Sequence, residues 1–269
     1  SPVYIGPPKE LLGRVSGYTT FASNNASRAG RLAVPANDGM LHILDVSDGS
    51  EVYSYVPSMV MDKLSRLAAR YATYTHTYYV DGEMSVGSVQ IGSSTPVWHT
   101  VLTGGGGAGF AGLYALDVTD PAYPGTSPHN TKLLFEKTGG NWGHVYGRPR
   151  IAPIGTSNSD PTWYIFSGNG YSTSAGHATS LMMINLDDNS VTEKVLSGVT
   201  GGLSAPVLVS TDTDDLIELA FAGDEDLAGL GECLGLQVAA GVRQAILQRC
   251  HVGCVDPDAM DGLLLGESA

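Results

Sequence analysis

The sequence predicts an all-β protein: a partial β-propeller of four-stranded antiparallel blades, with one inserted helix and an atypical helical C-terminal tail. Three observations carry that prediction. First, a turn–strand–turn phrase recurs. Asn37 to Gly49 contains Leu-His-Ile-Leu-Asp-Val-Ser-Asp-Gly, Gly112 to Asp120 reads Gly-Leu-Tyr-Ala-Leu-Asp-Val-Thr-Asp, and Ser180 to Asn189 reads Ser-Leu-Met-Met-Ile-Asn-Leu-Asp-Asp-Asn. Aligning Asp45, Asp117 and Asp187 spaces the copies by 72 and 70 residues, and a fixed long period marks a modular architecture. Second, the strands between these phrases are short and bounded by Gly, Asn, Asp and Ser, the residues that tolerate tight turns. Third, 35 of the 269 residues are glycine, which suits many turns and few long helices.

The strands follow in order. Arg31–Ala36 pairs with Met40–Val46 across the Asn37-Asp38-Gly39 turn, and Glu51–Val56 alternates as a half-buried strand does. A second unit opens near Tyr78-Tyr79-Val80-Asp81-Gly82 and continues through 86–91, 97–102, 113–118 and 132–136. A third comprises 149–153, 162–168, 181–186 and 192–196. A fourth begins at 203–209 and 219–223. The pieces amount to about three and a half blades over residues 1–226. Residues 1–30 read as loop. Ser58 to Tyr71 reads as the inserted helix: Val60, Leu64, Leu67, Ala68 and Tyr71 share one face, Ser58 can cap it, and Asp62, Arg66 and Arg70 suit the helix dipole.

Residues 227–269 break the pattern. No aromatic residue follows Phe221, and Cys233 to Cys250 is rich in Ala, Leu and Gln, a helical composition. We expect this tail to be non-native or divergent sequence, such as a shifted reading frame. The chain does not begin with Met, shows no signal peptide and reads as the middle of a longer protein.

Net charge is −13, which argues against nucleic acid and anionic membranes as partners. No segment approaches the ~18 apolar residues of a membrane helix. All three cysteines lie in the tail, so no disulfide framework holds the main body.

Particular residues carry a resemblance. Ala33 to His42, Tyr55-Val56-Pro57-Ser58, His76 with Tyr78-Tyr79-Val80-Asp81-Gly82, and Thr100 to Gly105 followed by Gly112 to Pro121 agree in order and spacing over residues 1 to about 223. They resemble the C-terminal propeller of the PilC/PilY-type type IV pilus biogenesis and tip-adhesin family. The resemblance implies a non-enzymatic, extracytoplasmic protein at the pilus tip, cell surface or periplasm. It implies pilin and minor pilin subunits as partners and an adhesive role toward a receptor the sequence does not name. It also implies a calcium loop.

The loop that fits is Ser210-Thr211-Asp212-Thr213-Asp214-Asp215-Leu216-Ile217-Glu218. Alternate oxygen ligands curl around a hard cation: Ser210, Asp212 and Asp214, the Leu216 carbonyl, then Glu218. Ser210 stands where the family pattern has a carboxylate, and Asp215 where it has glycine; a plain acidic hairpin loop is the alternative. Gly104 to Gly109 contains G-x-G-x-x-G, but a strand follows it rather than the helix a dinucleotide site needs, so it reads as a flexible inter-strand loop. Trp98, Trp142 and Trp163 are similar to the aromatics of quinone-dependent dehydrogenase propellers, the alternative function; aromatic packing is the simpler reading. Cys233, Cys250, His251 and Cys254 offer zinc ligands at a spacing that matches no strong zinc pattern.

Overall fold

The computed structural model describes residues 1–68, 75–92, 94–120, 132–155, 157–172, 177–210, 216–222, 232–237 and 248–251. The first sheet holds β1 (Val3–Ile5), β2 (Arg31–Pro35), β3 (Leu41–Asp45) and β4 (Glu51–Tyr55). The second holds β5 (Met84–Ile91), β6 (Val97–Gly105), β7 (Leu113–Asp117) and β8 (Leu133–Lys137). The third holds β9 (Arg150–Ile154), β10 (Thr162–Gly168), β11 (Ala178–Asn185) and β12 (Val191–Thr200). The fourth holds β13 (Val207–Val209), β14 (Leu219–Ala222), β15 (Glu232–Gln237) and β16 (Gln248–His251). In every sheet the antiparallel strands sit side by side in chain order, as in a propeller blade. The first strands of successive sheets approach one another, β1 to β5 and β5 to β9.

The apolar pattern explains how the sheets stack. Along β7, Leu113 and Ala115 enter the core shared with the third sheet, while Tyr114 and Leu116 enter the core shared with the first. Along β10 and β11, Trp163, Ile165 and Ile184 face the second sheet; Phe166, Leu181 and Met183 face the fourth, against Leu203, Ala220 and Ala222. Side chains alternate across a strand. A strand buried on both faces therefore reads as a continuous apolar run, which is how 113–118 and 181–186 read. The first sheet buries one face: Ala33, Leu41 and Ile43 are buried, while Leu32, Val34, His42 and Leu44 are half-buried.

Several expectations change. Residues 1–30 are not all loop: Val3–Ile5 is a strand and Tyr18–Asn24 forms α1. The inserted helix is a 3-10 helix over Ser58–Ala68, and Tyr71 lies outside the described residues. Val60 is buried and Leu64 packs on the first core, but Leu67 is 37 % exposed. With three residues per turn, positions four and seven apart no longer share the face that α-helical spacing assumes. Ser58 donates its N–H to Glu136 Oε1 on β8 at 2.7 Å, tying the helix start to the second sheet.

The helical tail is also corrected. Residues 232–237 and 248–251 are strands, paired with β14 and with each other. They bring the fourth sheet, of which β13 and β14 fall within residues 1–226, to four strands. Residues 238–247, the middle of the expected helix, lie outside the described residues; at its two ends hydrogen bonds to the β14 edge and between the two segments outweigh local helical composition.

Candidate functional site

The sheets have two ends. One carries the turns from second to third strand together with the links between sheets. The other carries the turns from third to fourth strand and the first-to-second connections, the candidate cation loop among them.

At the second end the repeated phrase becomes geometry. Asp45 Oδ1 accepts hydrogen bonds from the Ser47 N–H at 2.8 Å and hydroxyl at 2.6 Å. Asp117 Oδ1 accepts the same pair from Thr119, at 2.9 and 2.5 Å. In the third sheet the acceptor is Asn185, from the Asp187 N–H at 2.8 Å. The structural equivalent of Asp45 is therefore Asn185, two residues before the Asp187 that the sequence alignment chose, and the copies are 72 and 68 residues apart. Asp48 and Asp188 correspond in turn, each accepting from a serine N–H two residues on. Burial would raise the Asp117 carboxyl, but hydrogen bonds from His99 and Thr119 overcome it and hold it at about 2. Arg31 donates to Asp45 Oδ2 at 2.7 Å, the place His99 takes at Asp117, but it is the Ser47 hydroxyl and N–H that mainly lower the Asp45 carboxyl.

The candidate cation loop joins β13 to β14. Its base is closed by Glu218 N–H to Val209 O at 3.3 Å, and its far limb is pinned to the third sheet by Ile217 N–H to Pro153 O at 3.0 Å. Leu216 is fully buried, so the limb that was expected to offer a carbonyl ligand is anchored by its own side chain. Glu218 thus sits at the base of the hairpin opposite Val209, the residue before Ser210, and Leu216 lies on the far limb. Asp212 and Asp214 lie outside the described residues. Among the described residues no group of three or more His, Cys, Asp or Glu is placed to hold a metal. The donor set consists only of oxygens, which fits a hard cation such as calcium.

At the first end the Gly104–Gly109 run is packed, not an open flexible loop. Gly107 N–H bonds Val145 O at 2.9 Å, and Gly112 N–H bonds Gly143 O at 3.0 Å. A Cβ on Gly106 would overlap the Phe110 carbonyl, and one on Gly109 the Tyr79 carbonyl. Gly82 of the Tyr-Val-Asp-Gly motif is required for the same reason, since its Cβ would overlap the Gly105 carbonyl. The linker Gly143-His144-Val145 lies between two turns. It also bonds Asn169 O through Gly143 N–H at 2.7 Å and Tyr171 O through His144 N–H at 2.7 Å. The glycines let the backbones of neighbouring sheets touch, and no phosphate cradle is needed to explain them.

The tryptophans also serve packing. Trp98 and Trp163 meet edge to face at 5.7 Å, Trp98 stacks on Phe21 at 5.8 Å, and Trp142 packs on the same core. Sequence reasoning missed the segment that completes this cluster. Glu10 reaches β5, accepting from Ser88 N–H at 2.9 Å and Tyr18 O–H at 2.7 Å. Ser16 O accepts from both Trp98 Nε1 and Gln90 at 3.0 Å. Burial alone would raise the Glu10 carboxyl; the donors from Tyr18 and Ser88 bring it below its usual value. The only local signal was the Val3-Tyr4-Ile5 triplet ahead of Gly6-Pro7.

The family model for the PilY1 beta-propeller domain matches residues 3–230. The chain belongs to the PilY1 β-propeller family. The type IV pilus biogenesis factor PilY1 of Pseudomonas aeruginosa PAO1 is 39 % identical over 229 residues, covering 82 % of this chain and 18 % of that protein. A PilY1 homolog from Xylella fastidiosa is 34 % identical over 232 residues, covering 83 % and 18 %. The crystal structure of the P. aeruginosa PilY1 C-terminal domain superposes with a TM-score of 0.66 at 31 % identity, over 87 % of this chain and 45 % of that one. The chain therefore spans less than a fifth of the length of these curated PilY1 relatives. No helix among the described residues is long and apolar enough to cross a membrane.

Proposed function

We propose that this PilY1-family propeller segment acts in type IV pilus biogenesis, as an extracytoplasmic scaffold that engages pilin and minor pilin subunits and supports adhesion. The observation that supports it most is the match to PilY1 propellers over residues 3–230, with the family-like motifs built into sheet-to-sheet contacts. Surface turns are the chemistry such an array presents to a partner. Immobilised chain should retain purified pilin or minor pilin from solution, and the heat-denatured chain should not. Equal retention by both, or by neither, overturns the proposal.

The hairpin at 210–218 is the proposed calcium-responsive element. Ser210, Asp212, Asp214, the Leu216 carbonyl and Glu218 would hold the ion, which supplies a fixed positive charge that orders the loop. Because Ile217 already bonds to Pro153, ordering this hairpin would stiffen the junction of the third and fourth sheets, a population shift rather than a new fold. Titration calorimetry with calcium chloride should give a saturable heat that Asp212→Ala abolishes. Equal heats in both proteins, or none in either, refute the ligand set. No observation favours the quinone-dependent dehydrogenase alternative, because Trp98 and Trp163 are engaged in packing.

A further inference from the structure

We propose that Cys233 and Cys250 form a disulfide across the β15–β16 hairpin of the fourth sheet. The two residues are direct register partners, flanked by Glu232 opposite His251 and Leu234 opposite Arg249. Directly opposed residues of an antiparallel pair have Cα atoms about 4.5 or 5.5 Å apart, according to whether they share hydrogen bonds. Both separations lie within the roughly 4.4–6.8 Å that a disulfide spans. Opposed residues also share one face of the sheet, whereas the next pair along belongs to the other face. His251 takes the neighbouring register position, opposite Glu232, on the other face of the sheet. The first 232 residues contain no cysteine, so Cys254 is the one rival partner in the chain.

The bond forms by thiol–disulfide exchange with a low-molecular-weight disulfide such as glutathione disulfide. One cysteine loses its proton and attacks the external disulfide, releasing one glutathione thiolate and leaving a mixed disulfide. The second cysteine loses its proton and attacks the mixed disulfide, releasing the other. Two thiols are oxidised, two glutathione thiols are produced, and the two electrons are accounted for. The bond would lock the register of the outer hairpin, where a slip of one residue would exchange its two faces. That lock matters here because the fourth sheet opens with a strand of only three residues, Val207–Val209.

The full reduced chain is equilibrated with a glutathione redox buffer, quenched, alkylated in denaturant and digested without reduction for mass spectrometry. Cys254→Ser should oxidise to the wild-type extent and yield the peptide linking Cys233 to Cys250. Cys250→Ser, left with Cys233 and Cys254, should show an equilibrium constant at least tenfold lower. In concentrated urea the two variants should become alike, since the loops they close differ little in length. Two free thiols in Cys254→Ser overturn the proposal. So does equal oxidation of the two variants in buffer, or a preference that survives in urea.

Discussion

Asn169 is the side chain whose loss should be felt across three sheets. It follows β10 and is fully buried. Its Oδ1 accepts the Ser180 N–H and the Leu203 N–H, both at 3.0 Å. Its Nδ2 donates to Asn141 O at 3.1 Å and Ala178 O at 2.6 Å. Asn141 lies in the link from the second sheet and Leu203 in the link to the fourth, so one amide joins both junctions. Asn169→Ala leaves two backbone N–H donors and two carbonyls without this partner. An orphaned buried group costs about 1–3 kcal/mol, and relaxation or entering water recovers part of it. A loss of about 3–5 kcal/mol follows, a large fraction of a domain's stability. For a urea m-value of about 3 kcal/mol/M the midpoint should fall by roughly 1 M or more. Urea titration read by far-UV and near-UV circular dichroism measures it. A midpoint shift under about 0.3 M, with unchanged m, would refute the view that this amide clamps the sheet junctions.

Other expectations follow the same reasoning. Gly109→Ala should prevent soluble expression or lower the melting temperature sharply, because its Cβ would overlap the Tyr79 carbonyl and backbone cannot swing aside; a wild-type melting curve would contradict this. Gly49 also has positive φ, 76°, but open space around it, and Asn189 fills the equivalent turn position at φ 59°. Gly49→Asn should therefore stay within about 0.5 kcal/mol of wild type, while Gly49→Val should cost about 1–2 kcal/mol; both are read by thermal melts. His42 lies between Glu51 and Asp38, the latter at 2.8 Å from Nε2. The hydrogen bond it donates to Glu51 raises its pKa above 6.5; burial opposes this, and the hydrogen bond to Asp38 adds to the rise. A raised folded pKa stabilises fully below the unfolded value of about 6.5 and is lost as pH climbs through the folded one. Wild-type stability should thus fall relative to His42→Asn as pH rises from about 6 toward 8. The effect should stay under about 1 kcal/mol because the carboxylates are half exposed. A difference that grows with pH would contradict the sign.

Much of the fold was legible because it is written locally. Turn residues bracket each strand, and continuous apolar runs such as 113–118 announce burial on both faces. The strands of the tail were not legible because Cys233–Cys250 has helical composition, and pairing with the β14 edge is a context that composition does not carry. Asp187 was chosen over Asn185 because a carboxylate looked more like Asp45 than an amide does. The turn needs only an acceptor oxygen, and either side chain supplies one. In the candidate site, Ser210 to Glu218 was recognisable as a hairpin of oxygen donors, but the anchoring of Leu216 and Ile217 on the third sheet was not.

The amino-acid order alone determined that this chain makes short antiparallel strands in repeated units, since turn chemistry and alternation act between near neighbours. Only the tertiary structure decided which apolar face meets which sheet, why Gly105 and Gly109 cannot carry a side chain, and why Glu10 and Asn169 are bound to distant backbones. Those contacts join residues tens of positions apart, and the free energy of such a contact depends on what the rest of the chain brings beside it.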